Sequence, residues 1–180
     1  MKRATRFLAV AAVMGLVTLA CVATYPRPSL ADDLRFDRLV LDKSDHRLDA
    51  YADGELVRSY RVAIGRGGSG HKRMEGDGHT PEGDYVIDGR WPSKQFRRFL
   101  HISYPNAADR KAFAEAKRDG DIPADAKIGG DIGLHGESQN RRGWPHKLVD
   151  WTQGCVAVDD DEIDELYRRV APRATITITP

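Results

Sequence analysis

The sequence has no excess of charge of one sign: 28 Lys and Arg residues face 27 Asp and Glu residues, which gives a formal net charge of +1 at pH 7. The lack of a basic field argues against nucleic-acid binding, which depends on clustered positive charge. Internal repeats and low-complexity tracts are also missing, and 41% of the 180 residues are hydrophobic. This composition excludes collagen-like and wholly disordered chains and suits one globular domain.

Acidic residues are absent from the first 31 residues, which contain four basic residues and an apolar run over 7–23. Ser29-Leu30-Ala31 then places small residues where a signal peptidase cleaves. We therefore predict an export signal over residues 1–31, a domain over 32–180, and a location in the periplasm or cell envelope. The alternatives are an uncleaved membrane anchor and lipidation at Cys21, and only these would bring membrane contact.

Cysteine is scarce, and the two residues of this type are Cys21 and Cys155. Once the export signal is removed, or Cys21 is lipidated, Cys155 has no partner for a disulfide within the chain. An odd cysteine in an exported protein indicates a reactive thiol or an intermolecular bond, and the alternative is a buried apolar residue.

The hydrophobic pattern predicts mostly strands. We expect strands over residues 36–41, 47–51, 56–64, 84–89, 99–104 and 174–179, with a hairpin turn at Asp53-Gly54. Residues 65–84 contain seven glycines and are expected to form a long structured loop. No Gly-Lys-Ser/Thr motif follows this loop, which argues against phosphate binding.

Two helices are predicted. The first begins at Asn106, a favourable capping residue, and ends near Gly120. The second begins at Asp159, whose spacing to Glu162 is that of a capping box, and carries apolar residues at helical intervals.

Residues 131–135 and 155–158 alternate between apolar and polar positions and predict two short strands that point His135 and Cys155 away from their apolar faces. Imidazole can take the thiol proton, and the resulting ion pair lowers the thiol pKa. The Gly136 carbonyl can orient the ring, and the N–H groups of Gly154 and Cys155 can converge on an oxyanion. The alternative is a structural histidine beside an inert cysteine.

The remaining histidines show no spacing typical of paired metal ligands; these are His46, His71, His79 and His101. A zinc site made of His135, His146 and Cys155 would need long intervals that no further motif supports, so neither a metal nor a cofactor is expected. His146 is either a second base or a surface residue, and we expect the surface.

Residues 132–137 and 150–158 resemble the His-Gly and Ser/Thr-x-Gly-Cys signatures of the L,D-transpeptidase catalytic domain (YkuD-type) family. Residues 76–85 resemble its Gly-Asp-x-x-Thr-Pro-x-Gly-x-Tyr stretch, and residues 102–106 fit one of its branches. Together these segments span most of residues 34–170.

The resemblance implies a mainly β catalytic domain of the sandwich type with a few helices, acting on peptidoglycan in cell-wall biogenesis and cell shape. Cys155 would attack the carbonyl between the third residue of a stem tetrapeptide and its terminal D-alanine, which leaves. His135 would act as base and then acid, Gly136 would orient it, and Gly154 and Cys155 would hold the oxyanion. An amine from another stem, or from a protein attached to the wall, would then take the acyl group.

Two positions depart from the family pattern, because Gln153 and Ala157 stand where many members have histidine and arginine. An arginine from the loop before the cysteine can replace the missing one near the stem carboxylate, and the alternative is a solvated basic loop. Trp144, like Trp151, can line a cleft or pack in the core. The residues expected to bind substrate or support the nucleophile are Thr152, Arg141, Arg142 and Trp151.

Other activities share these residues. A hydrolase of the same family, either an L,D-carboxypeptidase or an amidase that detaches a wall-linked protein, would form the same acyl-enzyme and pass it to water. A non-catalytic peptidoglycan-binding module would keep the fold alone. An aligned base and nucleophile argue against the binding module, because binding requires neither.

Overall fold

The computed structural model describes residues 29–141 and 145–180, with the side chain of Arg141 left out. Residues Asp32–Pro180 form one compact unit. Within these ranges, no helix is long and apolar enough to cross a membrane. Residues 1–28 of the predicted export signal, which include Cys21, lie outside the described residues, as do Arg142 and Trp144.

Eight strands and two α-helices make up the described part of the chain. The strands are β1 (Phe36–Asp42), β2 (Arg47–Ala52), β3 (Glu55–Arg61), β4 (Gly83–Ser93), β5 (Arg97–Ile102), β6 (Gly133–His135), β7 (Val156–Ala157) and β8 (Val170–Thr179). The helices are α1 (Ala107–Asp119) and α2 (Asp160–Arg169), with a short 3₁₀ helix at Gln139–Arg141. The predicted mainly β fold with a few helices is confirmed.

The strands form one curled sheet in the order β3-β2-β1-β8-β4-β5-β6-β7. The long strand β4 joins its two halves, because its first residues pair with β8 and its later residues pair with β5. Just beyond β3, Ala63 forms an antiparallel bridge to Ala157 in β7, with N–H···O distances of 3.0 and 2.8 Å. The two ends of the sheet therefore meet, which protects edges that would otherwise be open.

The core follows from alternating apolar residues on the central strands. In β8, Ile176 and Ile178 are buried, while Thr175, which precedes them in the strand, is exposed. From α2, Ile163 and Leu166 are fully buried. They lie on the apolar side of a helix whose other residues are mainly charged, and α2 packs mainly against β5.

Both helix starts agree with the sequence. The Asn106 side chain accepts hydrogen bonds from the N–H groups of Ala108 and Asp109, and α1 ends at Gly120, whose φ is 79°. At the start of α2, the Asp159 N–H donates to Glu162 Oε2 at 3.0 Å.

Strand bounds differ from the prediction in several places, and β3 ends at Arg61 rather than at residue 64. β4 runs to Ser93 through a polar stretch without alternation, and β8 begins at Val170, directly after α2. The segment expected over 155–158 holds a strand of only two residues, with Cys155 just before it. Ala157 is also fully buried, so both sides of β7 are covered and the alternation there does not mark a solvent face.

Candidate active site

The pairing of two neighbouring strands brings His135 and Cys155 to one site. β6 and β7 are parallel, with Leu134 opposite Val156 and His135 opposite Ala157, so Cys155 precedes the paired residues by one position. Both side chains line a cavity of about 340 Å³, which we call the aromatic cavity. Its walls are Gln95, Phe96, His135, Ser138, Trp151, Thr152, Gln153 and Cys155.

Aromatic rings enclose the imidazole of His135, which is only 2% exposed. The Phe96 ring stacks on it with centroids 4.2 Å apart, and the Trp151 ring meets it edge-on at 5.6 Å. Phe99 from β5 also stacks at 6.2 Å. Burial lowers the pKa of His135 to about 4, and the nearby His146 acts in the same direction. The imidazole is therefore neutral near pH 7, as a general base must be.

The tautomer of His135 follows from one hydrogen bond. Its Nδ1 lies 2.7 Å from the Gly136 carbonyl oxygen. Because a carbonyl only accepts, Nδ1 carries the hydrogen and Nε2 keeps its lone pair. The carbonyl is well fixed, because a Cβ on Gly136 would lie 2.6 Å from Asp160 Oδ1 and 2.9 Å from Ile163 Cγ2.

Cys155 is a half-buried free thiol whose Sγ lies 3.5 Å from the Asp131 carbonyl oxygen, to which it donates. Burial raises the pKa of this thiol to about 11, although Gly133 and the charge of Lys72 act in the opposite direction. No hydrogen bond joins Sγ to His135 in the described structure. Both shifts favour a neutral thiol and a neutral imidazole in this structure, and the ion pair between Cys155 and His135 stays a prediction.

The turn before Cys155 is held by Thr152. Its Oγ1 donates to the Cys155 carbonyl oxygen at 2.7 Å and accepts the Gly154 N–H at 3.1 Å. Gly154 has a φ of +130°, and a Cβ there would lie 2.6 Å from the His79 carbonyl oxygen. The Gly154 N–H is engaged by Thr152 in this structure, and its predicted part in holding an oxyanion stays a prediction. Within the described residues, the Cys155 N–H has no acceptor and is the donor that remains.

The glycine-rich loop supports this turn from behind. The Gly65 N–H donates to Thr80 Oγ1 at 2.9 Å, and Gly65 pairs with Thr152 in a parallel bridge. A Cβ on Gly65 would lie 2.1 Å from the Gly78 carbonyl oxygen, so only glycine allows this approach. The Thr-Pro motif and the cysteine motif are thus connected through residues 64–66.

A second, smaller opening adjoins Cys155 on the side of Asp131. This cleft of about 140 Å³, which we call the polar cleft, is lined by Lys72, Glu75, Gly76, Gly129, Gly130, Asp131, Ile132, Gln153 and Cys155. Gln153 and Cys155 line both openings. The thiol therefore lies between an aromatic and a charged surface, which suits a reaction with two different partners.

The remaining predicted residues are placed only in part. Trp151 lines the aromatic cavity as expected for a cleft residue. The Arg141 side chain and all of Arg142 lie outside the described residues, so their contact with a stem carboxylate stays a prediction. Ala157 is fully buried and brings no cation to the site.

The expectation of a surface position for His146 is wrong, because its side chain is 3% exposed. Its Nε2 lies 2.9 Å from Asp159 Oδ1 and 3.8 Å from Glu137 Oε1. These three residues place ligand-type atoms within 4.8 Å of one another. The Lys147 ammonium, 2.7 Å from Asp159 Oδ2, already supplies positive charge there. The bond from His146 lowers the pKa of Asp159 to about 2 against the effect of burial, with help from Lys147.

Comparison with known proteins identifies the family of the chain. The family model of the L,D-transpeptidase catalytic domain matches residues 37–178. The chain belongs to this family. Its matched region contains both strands of the site and the glycine-rich loop, so the resemblance seen in the sequence is confirmed.

Individual relatives show how far the likeness extends. YafK of Escherichia coli (strain K12) is 28% identical over 134 residues, which cover 71% of this chain and 44% of YafK. The chain thus spans less than half the length of that relative. The structure of Pgp2 from Campylobacter jejuni, described as a helical cell shape determining protein, matches with a TM-score of 0.57 and 21% identity over 81% of this chain and 48% of Pgp2. An L,D-transpeptidase structure from Xylanimonas cellulosilytica matches with a TM-score of 0.52 and 15% identity, covering 86% and 64%.

The residues that sequence reasoning missed are those that enclose the two reactive groups. Phe96, Phe99 and Lys72 carry no motif of their own, and they reach the site only through the β4–β5 hairpin and the glycine-rich loop. The spacing of Lys72 to Asp77 beside the recognised Gly-Asp motif was the one available signal.

Proposed function

We propose that this protein is an exported cysteine L,D-transpeptidase that acts on peptidoglycan stem tetrapeptides through a thioester on Cys155. One observation carries the proposal: a neutral His135 whose Nδ1–H is held by Gly136 shares a cavity with the only cysteine of the described residues. That arrangement leaves the Nε2 lone pair free to take the thiol proton. A structural histidine would need no such fixed tautomer beside a thiol.

The first half-reaction releases D-alanine. His135 Nε2 takes the thiol proton as Cys155 Sγ attacks the carbonyl carbon before the terminal D-alanine. The Cys155 N–H donates to the oxyanion, and Thr152 holds the backbone from which it projects. When the C–N bond breaks, the imidazolium returns the proton to the leaving nitrogen, and the acyl group remains on Sγ.

The second half-reaction repeats these steps with a new amine. The incoming nitrogen attacks the thioester carbonyl, His135 takes its proton, and Sγ leaves as the thiol after that proton returns. Water in place of the amine would make the enzyme a carboxypeptidase. A wall-attached protein as acceptor is a further form of the same transfer.

Mass spectrometry of products tests the proposal. Purified disaccharide-tetrapeptides are incubated with residues 32–180 of the wild type, with Cys155→Ala and with Ser44→Ala, which changes an exposed residue between β1 and β2, as the control variant. We expect cross-linked dimers that have lost D-alanine from the wild type and from Ser44→Ala, and none from Cys155→Ala. If tripeptides were the only products, the acyl group would have passed to water, and the activity would be that of the hydrolase rather than the transferase. No change that depends on Cys155 would overturn the proposal and leave the amidase or the binding module.

A further inference from the structure

Lys72 carries a charged group that is almost fully buried, with its side chain 3% exposed. Its Nζ donates to Asp77 Oδ1 at 2.8 Å and to the Met74 carbonyl oxygen at 3.1 Å. Burying an ammonium is costly unless it is paired and hydrogen-bonded. An ammonium has three protons, and these two bonds are the ones it makes within the described residues. One donor therefore remains for a ligand.

Asp77 holds this lysine in place. Its carboxylate also accepts the backbone N–H groups of Arg73, Met74 and His79, at 2.7, 3.0 and 3.0 Å. Burial alone would raise the pKa of Asp77, but the bond from Lys72 and the backbone donors lower it. An ionised, four-fold bonded carboxylate fixes the ammonium before any ligand arrives, so binding costs little ordering of the side chain.

Lys72 places a positive charge in the same cleft as the Cys155 thiol. It lines the polar cleft together with Cys155. Among the described residues that line the polar cleft or the aromatic cavity, Lys72 is the only lysine or arginine. Ala157, at the position where many relatives carry arginine, supplies no charge. Among the described residues, Lys72 is therefore the cation available to a carboxylate bound in the polar cleft.

The polar cleft matches the leaving amino acid in size and charge. Its volume of about 140 Å³ suits one small residue rather than a peptide chain. Terminal D-alanine carries a free α-carboxylate on the carbon that bears the scissile nitrogen. A carboxylate taken from water needs a charged donor, which Lys72 provides. The side chains of Glu75 and Asp131 in the same cleft suit the ammonium that forms once the C–N bond has broken and the nitrogen is protonated.

We propose that Lys72, held by Asp77, binds the α-carboxylate of the residue that leaves as an amine, and the carboxylate beside the amine of an incoming acceptor. The inference rests on the proposed function, because it assigns the polar cleft to the amine side of that reaction. It makes Lys72 a specificity-determining residue: a substrate whose terminal carboxylate is amidated, or extended by another residue, loses this contact.

Calorimetric binding to Cys155→Ala tests Lys72 without requiring turnover. The probes are the stem tetrapeptide with a free terminal carboxylate and the same peptide with a terminal amide. We expect the acid to bind roughly tenfold or more tightly than the amide, as for a hydrogen bond between charged groups. When Lys72→Met is added to Cys155→Ala, the affinity for the peptide acid should fall to that for the peptide amide. The affinity for the peptide amide should stay unchanged. Lys72→Arg should retain a preference for the acid.

Controls separate this contact from general effects. Lys111→Met removes one exposed lysine of α1 and should leave both affinities unchanged. A thermal melt checks the fold of each variant, and Lys72→Gln replaces Lys72→Met if the latter unfolds. Equal binding of acid and amide by Cys155→Ala, or an equal loss of both when Lys72 is changed, would overturn the inference. A wild type that prefers the acid yet releases no D-alanine would overturn the proposed function and leave the carboxylate site standing.

Discussion

At the scale of single residues, burial decides the resting state of the reactive pair. His135 is enclosed by aromatic rings and has a pKa lowered to about 4, whereas the pKa of Cys155 is raised to about 11. Both shifts favour the neutral forms, so in the proposed reaction the thiolate would form during attack rather than before it. Such a site protects the thiol from oxidation and alkylation in an oxidising compartment, because the thiolate is the reactive form.

The pH dependence of alkylation tests this state. Iodoacetamide should modify Cys155 slowly at pH 7, and its rate should rise about tenfold per pH unit towards a midpoint well above pH 9. The sign follows from the raised pKa, because less thiolate is present at each pH below it. Mass spectrometry of the intact protein measures the rate, with Cys155→Ala to subtract reaction elsewhere. A plateau already reached near neutral pH would instead indicate a preformed thiolate.

At the scale of elements, the turn between Thr152 and Cys155 depends on one hydroxyl that makes two hydrogen bonds. Thr152→Val keeps the shape and removes both bonds, so the Cys155 N–H should lose its alignment. We expect kcat/KM for D-alanine release to fall by roughly ten- to a hundredfold, with KM little changed. Thr152→Ser restores the hydroxyl and should stay within a few-fold of the wild type. A Val variant as active as the wild type beside a damaged Ser variant would show that the methyl group, not the hydroxyl, supports the turn.

The same scale shows what could be predicted from the sequence. The motifs located His135, Gly136 and the Gly154-Cys155 turn, because local backbone geometry fixes these residues. Capping residues located both helices for the same reason. Two of the three rings around His135, those of Phe96 and Phe99, come from the turn before β5 and from β5 itself, and Lys72 comes from a loop without regular structure. Only long-range pairing places them, and that pairing leaves no periodic signal.

Across the whole molecule, curling of the sheet assembles the site. The bridge between Ala63 and Ala157 joins the segment after the β2–β3 hairpin to β7. The same segment then pairs Gly65 with Thr152. Residues near positions 64, 79, 135 and 155 thus meet although they are far apart in sequence. Folding of the whole sheet is required before thiol, base and Lys72 share one surface, so loss of the fold and loss of the site should coincide.

The buried His135 also makes the stability of the whole molecule depend on pH. In the unfolded chain a histidine takes up a proton near pH 6.5, whereas in the folded chain His135 does so only near pH 4. Between these values the unfolded state binds more protons, so stability falls as the pH is lowered. A difference of this size corresponds to roughly 3 kcal/mol of unfolding free energy lost from pH 6.5 to pH 4. Urea denaturation across this range measures it. His135→Gln should remove much of this loss of stability, and the control His101→Gln should retain it. A wild type that is equally stable at pH 6.5 and pH 4 would show that His135 is protonated in the folded state near its ordinary pKa.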